Sequence, residues 1–269
     1  MPEGDTIFRA ASTLHRILAG HRVVTCDSPI EAVAHAAFAG HVVTKVEARG
    51  KNLLIVFDDG RVLHTHLRMN GSWHVYRVGE RWFKKTEAAR VVLTTADMVA
   101  VCFSAPVVRV IAANAIERDR QVGELGPDLL APAFDLARAR ANLRSEPARE
   151  IGDALMQQRH VAGIGNVYKS ETLFLCHVDP FARVGALDDA TLDRLLLEAR
   201  KLLQRNVRNA GPRTTRTALA GPRSWVYLRS RHACLVCQTR VEMRHQGDPP
   251  RSTYFCRQCQ AVTVPPKPS

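Results

Sequence analysis

Four of the seven cysteines fall into two pairs, Cys234-Leu-Val-Cys237 and Cys256-Arg-Gln-Cys259, with 18 residues between them. A C-x-x-C turn aims two thiolates at one point, and two such turns at this spacing complete a tetrahedral set for zinc. Four thiolates leave no position for a catalytic water, so the expected cofactor is one structural Zn(2+) ion. The intervening segment is long enough for a hairpin and is basic, carrying Arg240, Arg244 and Arg251. Cys26, Cys102 and Cys176 stand singly, and an odd total in a long chain makes a poor disulfide framework.

A second chemistry lies at the other end. Pro2-Glu3 abuts a stretch with helical periodicity. Most chains that begin Met-Pro-Glu simply have a disordered end, but a dipeptide set against a helix start is held. Methionine before proline is normally removed, which would leave a secondary amine as the first group. The α-amino pKa of about 8 falls beside the positive end of a helix and nearby cations. Such an amine attacking an aldehyde-level carbon gives an iminium ion, an electron sink like a lysine Schiff base. Glu3 can serve as a general acid if burial raises its pKa.

The elements that must position these groups make an α+β chain. Ile7, Ala10, Ala11, Leu14, Ile17 and Leu18 mark a helix over 5–19, with Asp5 as its N-cap and Gly20 as its stop. Short β-rich runs follow at Val42–Val46, Leu53–Phe57, Val62–Leu67, Trp73–Tyr76, Val91–Leu93, Val99–Phe103 and Val107–Ile111. They predict a β-sandwich or barrel-like N-terminal domain over 1–122. Gly and Pro around Gly123–Pro132 mark the boundary. A helical domain is expected over 123–224, and a zinc finger over 225–264. The basic, Gly- and Pro-rich stretch 208–223 reads as a mobile loop, and Pro265–Ser269 as a frayed tail.

Composition narrows the partners. Lys and Arg number 38 against 26 Asp and Glu, a formal charge of +12, which favours a polyanion such as nucleic acid. No apolar run is long enough to span a membrane, and the first residues lack a signal-peptide pattern. The expectation is a cytoplasmic, nucleoid-associated monomer that needs no small-molecule cofactor.

Several motifs in order carry a family resemblance. Met1-Pro2-Glu3-Gly4-Asp5, Arg49-Gly50-Lys51, His66-Leu67-Arg68-Met69-Asn70-Gly71-Ser72, Gly126-Pro127-Asp128, the run Gln158–Tyr168 and the run Arg251–Gln260 span nearly the whole chain. Together they resemble the formamidopyrimidine-DNA glycosylase/endonuclease VIII family, in its endonuclease VIII-like, actinobacterial-type branch. The resemblance implies an N-terminal β-sandwich with a leading helix, a helix–two-turn–helix domain and a zinc-ribbon hairpin. It implies a bifunctional glycosylase and AP lyase acting on damaged double-stranded DNA by β,δ-elimination. Pro2 would attack the sugar C1′, Glu3 would protonate sugar or base, Lys51 would contact phosphate and move protons, and Arg251 would grip the phosphate beside the lesion. Asn166, Gly165 and Tyr168 would belong to the phosphate-binding turn and helix.

Each role has a plainer rival. Lys51 is otherwise a surface charge, Asn166 a helix N-cap, Arg251 one exposed arginine among several, and Met69 either the plug for a flipped base or a core methionine. In one place the pattern departs. The branch directed at 8-oxoguanine carries an arginine–phenylalanine wedge in a late loop, and the stretch Phe103–Arg109 does not reproduce it. Oxidised pyrimidines become the expected lesions. The alternative function is a non-catalytic zinc-ribbon DNA-binding protein; an RNA-binding protein is less favoured because aromatics make up only 6% of the chain, few for base-stacking platforms.

Overall fold

The computed structural model describes residues 2–112, 114–209, 211–216 and 221–261. Met1, part of the expected mobile loop (210 and 217–220) and the expected tail lie outside the described residues. The chain forms two compact units, 1–125 and 126–269.

The first unit begins with α1 (Gly4–Leu18). Its buried face of Ile7, Ala11, Leu14 and Leu18 repeats every three or four residues, as an amphipathic helix requires. The N-cap is Glu3, not Asp5: the Glu3 carbonyl accepts from Thr6 N and Ile7 N, so Asp5 is already inside the first turn, where its charge suits the helix dipole. Gly20 ends the helix with φ 81° and donates its N–H to Val43 O.

Strand β1 (Thr25–Asp27) and the one-turn α2 (Glu31–His35) follow. Neither was anticipated, because three and five residues are too few to show a period. Then come β2 (Val43–Arg49), β3 (Asn52–Phe57), β4 (Val62–His66), β5 (Ser72–Arg77), β6 (Ala89–Thr94), β7 (Met98–Phe103) and β8 (Val107–Ile111). They build two four-stranded sheets, ordered β2-β3-β4-β8 and β1-β6-β7-β5. Val46, Leu53, Ile55 and Leu63 of one sheet share an apolar cluster with Val91, Leu93, Ala100 and Cys102 of the other and with the α1 face. That is a sandwich core.

The second unit contains α3 (Leu136–Arg144), α4 (Ile151–Ala154), α5 (Asn166–Leu175) and α6 (Asp189–Arg208), then the hairpin β9 (Glu242–Gln246) and β10 (Arg251–Phe255). Residues Asn166–Phe174 of α5 are all buried, so this helix is the unit's central post. No helix among the described residues is long and apolar enough to cross a membrane.

Candidate active site

One end of the first unit collects the expected residues. Helix α1 runs antiparallel to β2: Val46 N donates to His15 Nδ1 at 3.1 Å, and Gly20 N to Val43 O at 2.8 Å. From His15 back to the helix start is about 16 Å at 1.5 Å per residue. From Val46 forward to Lys51 is also about 16 Å at 3.3 Å per residue. The start of α1 therefore lies level with the β2–β3 turn. Pro2 is partly exposed there, and Glu3 is almost fully buried.

Lys51 sits in that turn, a two-residue hairpin loop closed by Arg49 opposite Asn52. Gly50 takes φ 58°, the left-handed conformation that the first position of such a turn demands. The turn is rigid. Buried Asn52 donates to Arg49 O at 3.2 Å and to Gln121 O at 3.1 Å, while Arg49 bridges Glu47 and Glu117. Arg49's guanidinium thereby anchors the turn that carries the half-buried Lys51.

The β4–β5 loop reaches the same end, since β4 finishes at His66 while β3 begins beside Lys51. Burial and the charges of Arg68 and Lys51 lower the His66 pKa to about 4. This ring is therefore neutral near pH 7, and its Nδ1 accepts from Arg68 N at 3.2 Å. Arg68 takes φ 49°, and Gly71 closes the loop so tightly that a Cβ there would stand 2.6 Å from Leu67 O. Met69 projects from the apex, 65% exposed, so it is not a core methionine.

The β7–β8 connection is only Ser104-Ala105-Pro106. Arg109 does not extend from it. Its guanidinium pairs with both Asp119 oxygens at 2.9 and 3.0 Å and donates to His64 Nδ1 at 3.0 Å. His64 Nε2 in turn meets Asn52 Oδ1 at 2.8 Å, so the proton lies on Nε2. Burial first, then Arg109, lowers the His64 pKa to about 4. Arg109 is thus engaged along the sheet and holds the Lys51 turn through His64 and Asn52.

In the second unit, Gly165 is the N-cap of α5 and Asn166 its first residue, so Asn166 is not itself the cap. Its buried Oδ1 has no hydrogen-bond partner in the protein. The turn before it is stapled by Gln158, which donates to Met156 O and Ile164 O and accepts from Gly163 N. Tyr168 is fully buried in the unit's apolar core, with Arg213 5.2 Å from its ring centroid.

Two buried charges on α5 escaped the sequence reading. Glu171 accepts from the N–H groups of Trp225, Val226 and Tyr227 at 2.7–2.8 Å and from the Thr215 hydroxyl. Lys169 Nζ donates to Thr253 Oγ1 at 2.7 Å and Ser252 O at 3.1 Å, on the strand that begins with exposed Arg251. Gln246, opposite Arg251, ties the other strand to Glu150 and Pro180. Their only sequence signal is two charges within the apolar run Val167–Leu175, a pattern that usually marks a solvated face.

The four cysteines converge, their sulfurs all within 4.8 Å of one another. Cys234–Cys259 and Cys237–Cys256 are 3.8 and 3.4 Å apart. A tetrahedral site with metal–sulfur bonds of about 2.3 Å has sulfur–sulfur edges of about 3.8 Å. The set fits a metal ion. Each pair caps a tight turn, with Gln238 N bonded to Cys234 O and Gln260 N to Cys256 O.

Comparison with known proteins agrees with this architecture. Residues 1–106 match the formamidopyrimidine-DNA glycosylase N-terminal domain, and residues 125–217 the formamidopyrimidine-DNA glycosylase H2TH domain. The chain is 44% identical over 268 residues to the probable endonuclease 8 2 of Streptomyces coelicolor, covering 98% of this chain and 96% of that one. It is 36% identical over 267 residues to the DNA-(apurinic or apyrimidinic site) lyase Nei2 of Mycolicibacterium smegmatis, covering 98% and 100%. The fold matches that of the Lactococcus lactis formamidopyrimidine-DNA glycosylase, solved non-covalently bound to DNA with an AP site. There the TM-score is 0.83 at 20% identity, over 97% of this chain and 100% of that one. On these relationships the chain belongs to the formamidopyrimidine-DNA glycosylase family, among its endonuclease 8 members.

Proposed function

We propose that this protein is a base excision repair enzyme, a DNA glycosylase with AP lyase activity that acts on damaged double-stranded DNA. The observation that supports the reading is the α1–β2 register, which by rise per residue brings the start of α1, with its partly exposed Pro2 and buried Glu3, level with the Lys51 turn. The relatives named endonuclease 8 2 and DNA-(apurinic or apyrimidinic site) lyase support it.

With Met1 removed, the Pro2 nitrogen attacks C1′ of the damaged nucleotide. The N-glycosidic bond breaks and the base leaves with a proton. Glu3 supplies a proton to O4′ as the sugar ring opens, and the nitrogen, having lost its own, forms an iminium. That cation draws electrons from C2′, whose proton is lost as the 3′ phosphate departs; loss of a C4′ proton then expels the 5′ phosphate. Water releases Pro2. Lys51 contacts phosphate and carries protons in the first elimination, and Arg251 grips phosphate in the second. Asn166, the first residue of α5 with a buried Oδ1, binds backbone phosphate at the helix start. Gly165 caps that helix and Tyr168 packs beneath it. Met69 fills the space of a flipped base, offsetting part of the unstacking cost of a few kcal/mol.

Cys234, Cys237, Cys256 and Cys259 would hold one zinc ion, whose part is to stiffen the hairpin that bears Arg251. The short β7–β8 turn and the engaged Arg109 favour oxidised pyrimidines as lesions. The three-part division into 1–122, 123–224 and 225–264 remains our reading of the domains, and the protein is read as a cytoplasmic, nucleoid-associated monomer without a small-molecule cofactor. Borohydride reduction in the presence of abasic-site DNA tests the activity: a covalent adduct is expected, with Pro2→Ala sharply reducing it. Absence of any adduct with protein whose Met1 is removed would leave the non-catalytic DNA-binding account in its place.

A further inference from the structure

Strands β5 and β6 are both antiparallel to β7, so they run parallel to each other. The chain between them, residues 78–88, must travel back along the sheet before β6 can begin. Side chains fix that return. The Trp82 ring lies edge-on to Phe103 at 5.8 Å and stacks over Tyr76 at 6.1 Å. Phe83 N donates to the Tyr76 hydroxyl at 3.2 Å. Lys84 Nζ donates to Ser72 Oγ at 2.8 Å. The segment thus arrives where β5 starts, directly after the loop that carries Met69.

Phe83 is 85% exposed although both of its neighbours are anchored. Arg81 and Lys85 flank it and are exposed. Glu80 accepts from Arg77 N at the far end of the strand, and with Glu87 it is an acidic member of the groove along this loop, where Arg81, Lys84 and Lys85 outnumber the two. Residues 80–87 line an open groove of about 750 Å³, room enough for a base against the ring. An aromatic face set between cations on a rigid loop is the arrangement that stacks unpaired bases of a polyanion.

We propose that Phe83 is a base-stacking contact for the unpaired base facing the lesion, with Arg81 and Lys85 on its phosphates. This rests on the DNA-repair reading above. It would supply from the β5–β6 crossover an aromatic contact next to the exposed Met69 loop.

The test uses the full chain and a duplex with a tetrahydrofuran abasic analogue opposite 2-aminopurine. Anisotropy gives Kd and 2-aminopurine fluorescence reports stacking. Phe83→Ala should bind about tenfold more weakly and leave the fluorophore brighter, and Phe83→Trp should restore both. Lys85→Ala should lower the salt slope by about one. Because the ring is exposed, the thermal midpoint serves as the folding control. Equal affinity and equal fluorescence for Phe83→Ala and wild type would overturn the proposal. If the wild type forms no borohydride adduct on abasic-site DNA, the underlying repair reading fails instead.

Discussion

Around the Lys51 turn the first unit encloses a neutral imidazole, whereas helix α5 of the second unit encloses a carboxylate and an ammonium. His64 is enclosed between Asn52 and Arg109 and holds the Lys51 turn through hydrogen bonds that need it uncharged. Glu171 and Lys169 hold Thr215, the 225–227 turn and the Arg251 strand through charge-assisted bonds. Beyond them stands a four-cysteine cluster whose geometry fits a metal ion. The Lys51 turn therefore depends on an uncharged His64, and the elements packed on α5 depend on the charged ends of Glu171 and Lys169.

The largest expected effect is metal removal. Chelation, or Cys256→Ser, should loosen the hairpin, because structural zinc contributes about 10–16 kcal/mol in small fingers. Hydrogen exchange should rise across 234–259 while α1 and the β-sandwich stay protected. Exchange rising equally in both units would erase the contrast.

Glu171→Ala comes next. It leaves three backbone N–H groups without their acceptor and should destabilise by more than about 2 kcal/mol, since each buried unsatisfied donor costs about 1–3 kcal/mol. Denaturant unfolding measures this, and a cost below about 1 kcal/mol would mean the contacts are incidental.

Acid should act on the first unit. The folded His64 pKa of about 4 lies below the ordinary 6.5, so the unfolded chain takes up its proton first. Stability is fully present above pH 6.5 and is lost as pH falls toward 4, by at most about 3 kcal/mol for this group. His64→Gln should flatten that limb of the stability profile. An unchanged profile would place the acid sensitivity elsewhere.

Met69→Ala should be the mildest for stability, within about 0.5 kcal/mol, since the side chain is exposed. It should instead weaken binding to lesion-bearing DNA. A large stability loss would mean that Met69 packs in solution.

The sequence made some of this visible because turns announce themselves. Gly50-Lys51, Asn70-Gly71 and the two C-x-x-C pairs each carry residue types that their backbone geometry requires, and the long strands show their alternation. Position within a cap was less legible: Asp5 and Asn166 are good capping types, yet each lies inside the helix because the preceding backbone, at Glu3 and Gly165, is what turns extended. Lys169 and Glu171 were not legible at all, since a charge on a helix looks alike whether it meets water or a strand 80 residues away. The level start of α1 and the Lys51 turn likewise needed the helix–strand register, which no local pattern encodes.

The most direct test is tandem mass spectrometry of the peptide left on DNA after borohydride capture and protease digestion. The account predicts that the added sugar mass sits on the imino nitrogen of Pro2, with Met1 gone. A bond on Lys51 or any other side chain would contradict it, even with the fold intact.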